Sequence, residues 1–227
     1  MNNNEQEIKW SENVILVDAD YVDKVAFNLI VNFERMLGRR IPQADIARWI
    51  DCVALDGGVK EGEQETQVVL LHSAKKKQME NFIPGRFDEL SSKAFKDHLG
   101  EFLMNAYPVE DIVSSEQQFC DMLQLLCSQK EVKRVIIIPD SEQEIIYNKV
   151  RATLKQVDDE KRITLLAMQP MANWNFRQEI LGYSLLAALG ISSDEINNKM
   201  QYYYGKSIND WRWRRRYGSS IQDRTEC

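Results

Sequence analysis

The apolar positions of the chain fall into short runs that alternate with longer stretches of helical spacing. Five runs have the length of buried strands, and they cover residues 14–17, 67–71, 102–107, 134–138 and 163–168. Apolar residues between the runs recur every three or four positions, which predicts helices over 22–37, 44–55, 114–128 and 142–157 and a helical pair over 75–83 and 87–95. Strands that alternate with helices predict an α/β fold, a Rossmann-like three-layer sandwich with a mainly parallel five-stranded sheet.

The pattern changes after residue 170. Residues 1–170 carry the predicted α/β domain, and residues 171–227 are expected to form a helical C-terminal extension with a basic aromatic tail. An apolar helix in the extension ends at Gly190, and Ser192 with Glu195 has the spacing of a capping box that starts another helix.

Composition places the chain among globular proteins. The 227 residues are 44% hydrophobic and 28% charged, with a formal charge of −6. No apolar run has membrane-spanning length and the first residues do not resemble a secretory leader, so we expect a cytoplasmic protein with no membrane partner. The four cysteines form no C-x-x-C pair, which favours reduced, buried thiols.

Several common chemistries have no signature here. The chain has no G-x-G-x-x-G, no P-loop and no G-x-S-x-G motif. Its two histidines, His72 and His98, share no ligand spacing, so we expect each to be a surface or hydrogen-bonded residue and not a metal ligand.

Acidic residues follow two of the predicted strands. Asp18 and Asp20 come after the first, and Asp140 and Glu142 after the fourth. If these strands are neighbours in the sheet, the four carboxylates converge at its carboxyl edge, where ligands of such sheets bind. Clustered carboxylates need a cation, and Mg²⁺ or Mn²⁺ suits oxygen ligands. Helix capping is the alternative explanation for Asp20, Glu142 and Glu144 taken singly.

Four segments in this order resemble the PIN-like nuclease superfamily, in particular its NYN branch, over about residues 13–170. They read "VILVDADYVDKVAFNLI", "IPQADIARWIDCVAL", "TQVVLLHS" and "FCDMLQLLCSQKEVKRVIIIPDSE". The resemblance implies that Asp18, Asp121 and Asp140 are the catalytic acids, with metal held by Asp18, Asp140, Asp20 and Glu142. It also implies RNA or single-stranded nucleic acid as partner and Mg²⁺- or Mn²⁺-dependent ribonuclease activity.

The chain departs from that family pattern at several positions. Where the family has Gly and Asp in the turn after the fourth strand, this sequence has Pro139 and Glu142, and Tyr21 replaces an Asn after the first strand. Gln143 replaces an aromatic residue, and the second helix acid has Glu116 as its nearest match. A catalytically degenerate interaction module is therefore an alternative to an active nuclease.

A second resemblance concerns the same first strand. "VILVDADYV" is similar to the D-x-D opening of haloacid-dehalogenase-like phosphatases, in which Asp18 would be the nucleophile and Asp20 the acid/base. Asp18 and Asp140 would then hold Mg²⁺. Lys130 and Lys133 lie near the position of that family's lysine, but no glycine precedes Asp140.

The tail reads "WRWRRRY" and is the most basic part of the chain. Residues 200–227 carry six basic and three acidic residues, which leaves the rest of the chain near −9. Aromatic residues among arginines are typical of single-strand nucleic-acid surfaces, and the candidate contacts are Trp211, Arg212, Trp213, Arg214 and Arg216. The alternative is that the tryptophans dock on the chain itself or form a homo-oligomer contact through the extension.

Overall fold

A computed structural model describes residues 9–109, 114–155, 157 and 160–204, with side chains described up to residue 199. The helices are α1 (Ala19–Leu37), α2 (Ile46–Asp56), α3 (Phe87–Leu90), α4 (Ser115–Ser128), α5 (Glu144–Leu154), α6 (Leu181–Ala188) and α7 (Ser193–Tyr204). The strands are β1 (Asn13–Asp18), β2 (Ala44–Asp45), β3 (Glu65–Ser73), β4 (Phe82–Ile83), β5 (Lys93–Asp97), β6 (Gly100–Val109), β7 (Arg134–Ile138), β8 (Arg162–Ala167) and β9 (Arg177–Ile180).

The main sheet has seven strands in the order β5-β6-β3-β1-β7-β8-β9. Six of them run parallel, and β5 pairs antiparallel with β6 at one edge. The five strands predicted from the apolar runs are all present, but the predicted five-stranded sheet is wrong because β5 and β9 extend it at its two edges. The fold is α/β with a mostly parallel sheet.

Alternating side chains of β1 build two separate cores. Ile15 and Val17 point into a core shared with α1, α2 and α6. Val14 and Leu16 point to the opposite face, into a core shared with α4 and α5. Because every second residue of a strand faces the same side, a strand that is apolar throughout must be covered on both faces, and helices provide that cover.

The segment after β3 differs from its prediction. Instead of a helical pair, residues 75–95 contain turns, the short pairing of β4 with β2, the single-turn helix α3 and the start of β5. The ring of Phe95 in β5 stacks on that of Phe102 in β6 at 4.8 Å between centroids. Pairing with a long neighbouring strand therefore overrides the weak helical spacing of this segment.

The C-terminal segment is not purely helical. Its strand β9 pairs with β8, so the expected boundary at residue 170 falls between two neighbouring strands of one sheet. The predicted capping box is confirmed: the Ser192 hydroxyl accepts a hydrogen bond from the Glu195 amide at 3.2 Å, and the Glu195 carboxylate accepts one from the Ser192 amide at 3.1 Å. The tail with Trp211 and its neighbours lies outside the described residues. Within the described residues, no helix combines the length and the apolar character needed to cross a membrane.

Candidate functional site

The candidate site lies where the strand order reverses between β1 and β7. If the six parallel strands are numbered 1 to 6 in chain order, they lie in the sheet in the order 3-2-1-4-5-6. The chain therefore adds strands first on one side of β1 and then, from β7 onward, on the other side. Val17 of β1 is paired with Ile138 of β7. Asp18 and Asp140 therefore follow neighbouring strand ends at the carboxyl edge, as predicted if these two strands were neighbours. We call this region the carboxyl-edge cleft: Asp18, Asp20, Tyr21, Asp140 and Glu142.

Asp18 is both a helix cap and a member of the cleft. Its Oδ1 accepts a hydrogen bond from the Tyr21 amide at 3.0 Å, which caps the first turn of α1. Burial, followed by the charges of Asp20 and Asp140, raises the pKa of Asp18 to about 6, against the lowering effect of the Tyr21 amide. Asp18 is thus the capping residue of α1, and α5 has no side-chain cap, so capping does not account for Asp20, Glu142 or Glu144. The cap also does not explain why other carboxylates are placed beside Asp18.

Asp140 has no capping role and is almost completely enclosed. Its residue exposure is 7%, and its Oδ1 is buried without a hydrogen-bond partner. The other oxygen, Oδ2, accepts a hydrogen bond from the Gln143 side chain at 2.6 Å. Gln143 precedes α5, and this helix has no side-chain cap. An enclosed carboxylate oxygen without a donor is costly, so its presence needs a reason other than helix formation.

Asp20 connects the cleft to the lysine-rich turn after β3. Its Oδ2 accepts a hydrogen bond from the Ser73 amide at 2.9 Å. Its Oδ1 lies 3.2 Å from the Lys76 ammonium nitrogen, an ion pair without hydrogen-bond geometry. Both oxygens of Asp20 are thus engaged. Exposed Lys75 and Lys77 flank Lys76 on this turn, where the sequence predicted the start of a helix over residues 75–83.

Tyr21 places a phenol beside the acidic groups. The residue is 3% exposed, and its hydroxyl has no partner at hydrogen-bond geometry. The pKa of Tyr21 is raised, mainly by burial and then by the charges of Glu142 and Asp140, while the neighbouring Ser141 hydroxyl acts in the opposite direction. The phenol therefore stays protonated and can donate a hydrogen bond into the cleft.

The remaining predicted site residues lie at different distances from this centre. Glu142 is exposed, yet its charge acts on Tyr21, which places it at the rim. Asp121 lies on the exposed surface of α4, where it accepts a hydrogen bond from the Gln117 side chain at 2.8 Å. Its charge is not among those acting on Asp18 or Tyr21. The structure therefore brings Asp18, Asp20, Asp140 and Glu142 together, while the described side-chain contact of Asp121 is within α4.

The donor set of the cleft fits a hard cation held by few protein ligands. No three carboxylates of the cleft have oxygens that all lie within 4.8 Å of one another. Among the described residues, the ligand atoms of Asp51, Asp97 and His98 do lie this close together. A Mg²⁺ or Mn²⁺ ion does not need a full protein cage, because it keeps several waters and uses one or two carboxylates. Asp18 and Asp140 are suited to hold such an ion.

Three features of the cleft have no clear signature in the sequence. Tyr21 was apparent only as a departure from the family pattern. The contact of Lys76 with Asp20 and that of Gln143 with Asp140 depend on turns whose shape the apolar pattern does not specify. A charged turn directly after β3 was the one available signal for Lys76.

Comparison with known proteins identifies a family. A family profile described as "Family of unknown function (DUF6621)" matches residues 7–196, which is most of the chain. The chain belongs to the DUF6621 family. The matched region includes the cleft and extends across the expected boundary at residue 170. No curated protein and no solved structure matches the chain significantly.

Proposed function

We propose that this DUF6621 protein binds one Mg²⁺ or Mn²⁺ ion in the carboxyl-edge cleft, through Asp18 and Asp140, and hydrolyses a phosphodiester, with RNA as the leading substrate class. The observation that carries the proposal is the enclosed Oδ1 of Asp140, which has no hydrogen-bond partner and whose carboxylate lies near the half-buried carboxyl of Asp18. A cation between them would relieve the repulsion and supply the missing partner.

The position of the cleft supports a ligand-binding role. The strand order 3-2-1-4-5-6 is that of Rossmann-type sheets, in which ligands bind beyond the carboxyl ends of the strands at the reversal of strand order. Asp18 ends β1, and Asp140 lies two residues after the end of β7. This placement is also what the resemblance to PIN-like and NYN-type nucleases implies.

Each group of the cleft then has a defined role. A bound divalent ion would activate a water molecule and neutralise charge that develops on a phosphodiester. The Tyr21 hydroxyl is enclosed beside the acidic groups, where it can donate a hydrogen bond, and the ammonium groups of the exposed turn at Lys75, Lys76 and Lys77 favour an anionic substrate. Asp20 acts as a positioning residue, because its Oδ2 accepts the Ser73 amide and its Oδ1 pairs with Lys76 at the cleft.

The phosphatase alternative fits these contacts less well. It requires Asp20 to exchange a proton with the substrate, yet both Asp20 oxygens are engaged by Ser73 and Lys76. The phosphatase alternative can be tested separately, because beryllofluoride with Mg²⁺ forms a phosphoaspartate mimic on a nucleophilic Asp18. A rise in melting temperature with this reagent would favour the phosphatase over the nuclease.

Cleavage of end-labelled single-stranded RNA tests the proposal. We expect cleavage in Mn²⁺ or Mg²⁺, none in EDTA, and a loss of at least about 100-fold in Asp18→Asn and in Asp140→Asn, because metal ligands are more sensitive than their outer-shell partners. Asp121→Asn is the matched comparison, and we expect it to retain activity. Equal cleavage by the parent protein and both cleft variants would show that the activity comes from a contaminant. Intact RNA with normal Mn²⁺ binding would contradict the nuclease role and favour a non-catalytic module.

A further inference from the structure

A second group of titratable residues lies at the opposite edge of the sheet. Asp51 is on α2, while Asp97 and His98 are at the turn of the β5–β6 hairpin. One ligand atom from each of the three lies within 4.8 Å of the other two. We call this group the amino-edge cluster, because the hairpin turn adjoins the amino ends of β6 and β3.

Asp51 is the unusual member of the cluster. It is 8% exposed, and its Oδ1 is buried without a hydrogen-bond partner. Burial and the neighbouring Asp97 raise its pKa to about 6, and the charge of His98 acts in the opposite direction. A buried carboxylate with an unpartnered oxygen that faces a second carboxylate and an imidazole needs a cation or a shared proton.

The hairpin turn holds the other two groups in place. Asp97 Oδ1 accepts a hydrogen bond from the Leu99 amide at 2.7 Å, which closes the turn and leaves the second oxygen of Asp97 for another partner. The His98 carbonyl accepts a hydrogen bond from the Gly62 amide at 3.3 Å. A Cβ at Gly100 would collide with the Gln64 carbonyl oxygen, so the hairpin and the loop before β3 pack closely. The ligand atoms are therefore presented by a fixed backbone.

We propose that Asp51, Asp97 and His98 form a binding site for one divalent transition-metal ion, with Zn²⁺ the preferred metal. Two carboxylates and one imidazole supply three ligands, and water completes a tetrahedral shell on the exposed side of His98. The imidazole favours Zn²⁺ over Mg²⁺, which prefers oxygen ligands alone.

The consequence for the fold is a link between α2 and the hairpin. The two elements are far apart in sequence, and the metal would join them directly. This proposal does not depend on the carboxyl-edge cleft, because the two groups share no residue and lie at opposite ends of the parallel strands.

Histidine NMR on the full chain without a histidine tag tests the site directly. The chain contains two histidines, and His72 is buried with its ring stacked on Phe87 at 3.7 Å between centroids. We expect one equivalent of Zn²⁺ to shift the imidazole ¹⁵N signals of His98 and to leave those of His72 unchanged. Unchanged signals of both residues at several equivalents of Zn²⁺ would overturn the proposal.

Calorimetric titration with Zn²⁺ then tests the ligand set. We expect His98→Gln and Asp97→Asn each to weaken binding by more than about 100-fold, because even outer-shell partners change metal affinity by 10- to 100-fold. Glu63→Gln is the matched control, since this exposed carboxylate contacts Lys96 of the same hairpin at 3.6 Å. It should bind Zn²⁺ as the parent does. An affinity unchanged by either ligand substitution would overturn the three-residue site.

Discussion

The two edges of the sheet each hold one buried and one half-buried carboxylate, but the groups around these pairs differ. At the carboxyl edge, Asp18 and Asp140 are accompanied by a phenol and, through Asp20, by an exposed lysine turn. At the amino edge, Asp51 and Asp97 are accompanied by an imidazole and by a tightly packed hairpin. The first donor set suits a hard ion that keeps its waters and meets an anionic substrate, and the second suits a metal that stabilises the fold.

The two edges also differ in how their carboxylates are hydrogen-bonded in the metal-free protein. Asp18 is partly accounted for, because it caps α1. Asp140 and Asp51 each keep an enclosed oxygen without a donor, which reduces the stability of the metal-free protein. Proteins accept such costs most often at binding and catalytic sites.

The largest expected effect is the loss of Mn²⁺ affinity when a carboxylate of the carboxyl-edge cleft is removed. Asp140→Asn removes a carboxylate of the cleft, and we expect it to weaken Mn²⁺ binding there by at least about 100-fold. Electron paramagnetic resonance of free Mn²⁺ measures this affinity. Glu144→Gln, an exposed carboxylate in the first turn of α5, is the control and should have no effect. Similar Mn²⁺ affinity in Asp140→Asn and in the parent would end the assignment of this ligand.

Zn²⁺ should stabilise the protein through the amino edge. A ligand that binds only the folded state adds about 2.7 kcal/mol to the free energy of unfolding at 100 times its Kd. We expect Zn²⁺ at this concentration to raise the Tm of the parent protein by several degrees. The Tm of His98→Gln should rise little. An equal Tm increase in both proteins would place the Zn²⁺ elsewhere.

Asp18→Asn should stabilise the metal-free protein at neutral pH. The pKa of Asp18 rises from 3.8 to about 6 on folding, so the folded state binds the extra proton between those values. The free energy of unfolding therefore falls as pH rises from about 4 to 6 and stays low above that range. Asn still caps α1 but carries no charge, so we expect a gain of at most about 3 kcal/mol at pH 7.5.

Urea unfolding in EDTA at pH 4, 6 and 7.5 measures this effect. Asp51 has a raised pKa and contributes a slope of the same sign, so the informative quantity is the difference between Asp18→Asn and the parent. That difference should grow with pH. A variant less stable than the parent at pH 7.5 would show that the charge of Asp18 is compensated in the folded protein.

Lys76→Met should have the smallest effect and should concern RNA binding. The Lys76–Asp20 pair is partly exposed, and such pairs contribute about 0–1 kcal/mol, so Tm should change little. If Lys76 contacts a phosphate, the slope of log affinity against log salt should flatten by about 0.7 for single-stranded RNA. An unchanged slope would remove this lysine from the binding surface.

The sequence predicted those parts of the fold and of the cleft that depend on short patterns of residues. Apolar runs correctly predicted β1, β3, β6, β7 and β8, and the acidic residues after two of them predicted that Asp18 and Asp140 lie at the same edge of the sheet. The strand β5 was missed because its lysines and its Asp make it polar, and only pairing with β6 defines it. Likewise, Asp51 meets Asp97 and His98 through the packing of α2 against a hairpin, which no local spacing indicates.

The most direct test of the central claim is anomalous diffraction from crystals of the protein grown or soaked in Mn²⁺. We expect an anomalous peak at the carboxyl edge of the sheet, in contact with carboxylate oxygens of both Asp18 and Asp140, and loss of that peak in Asp140→Asn. An ordered cleft without a peak at saturating Mn²⁺, or a peak that contacts neither carboxylate, would contradict it.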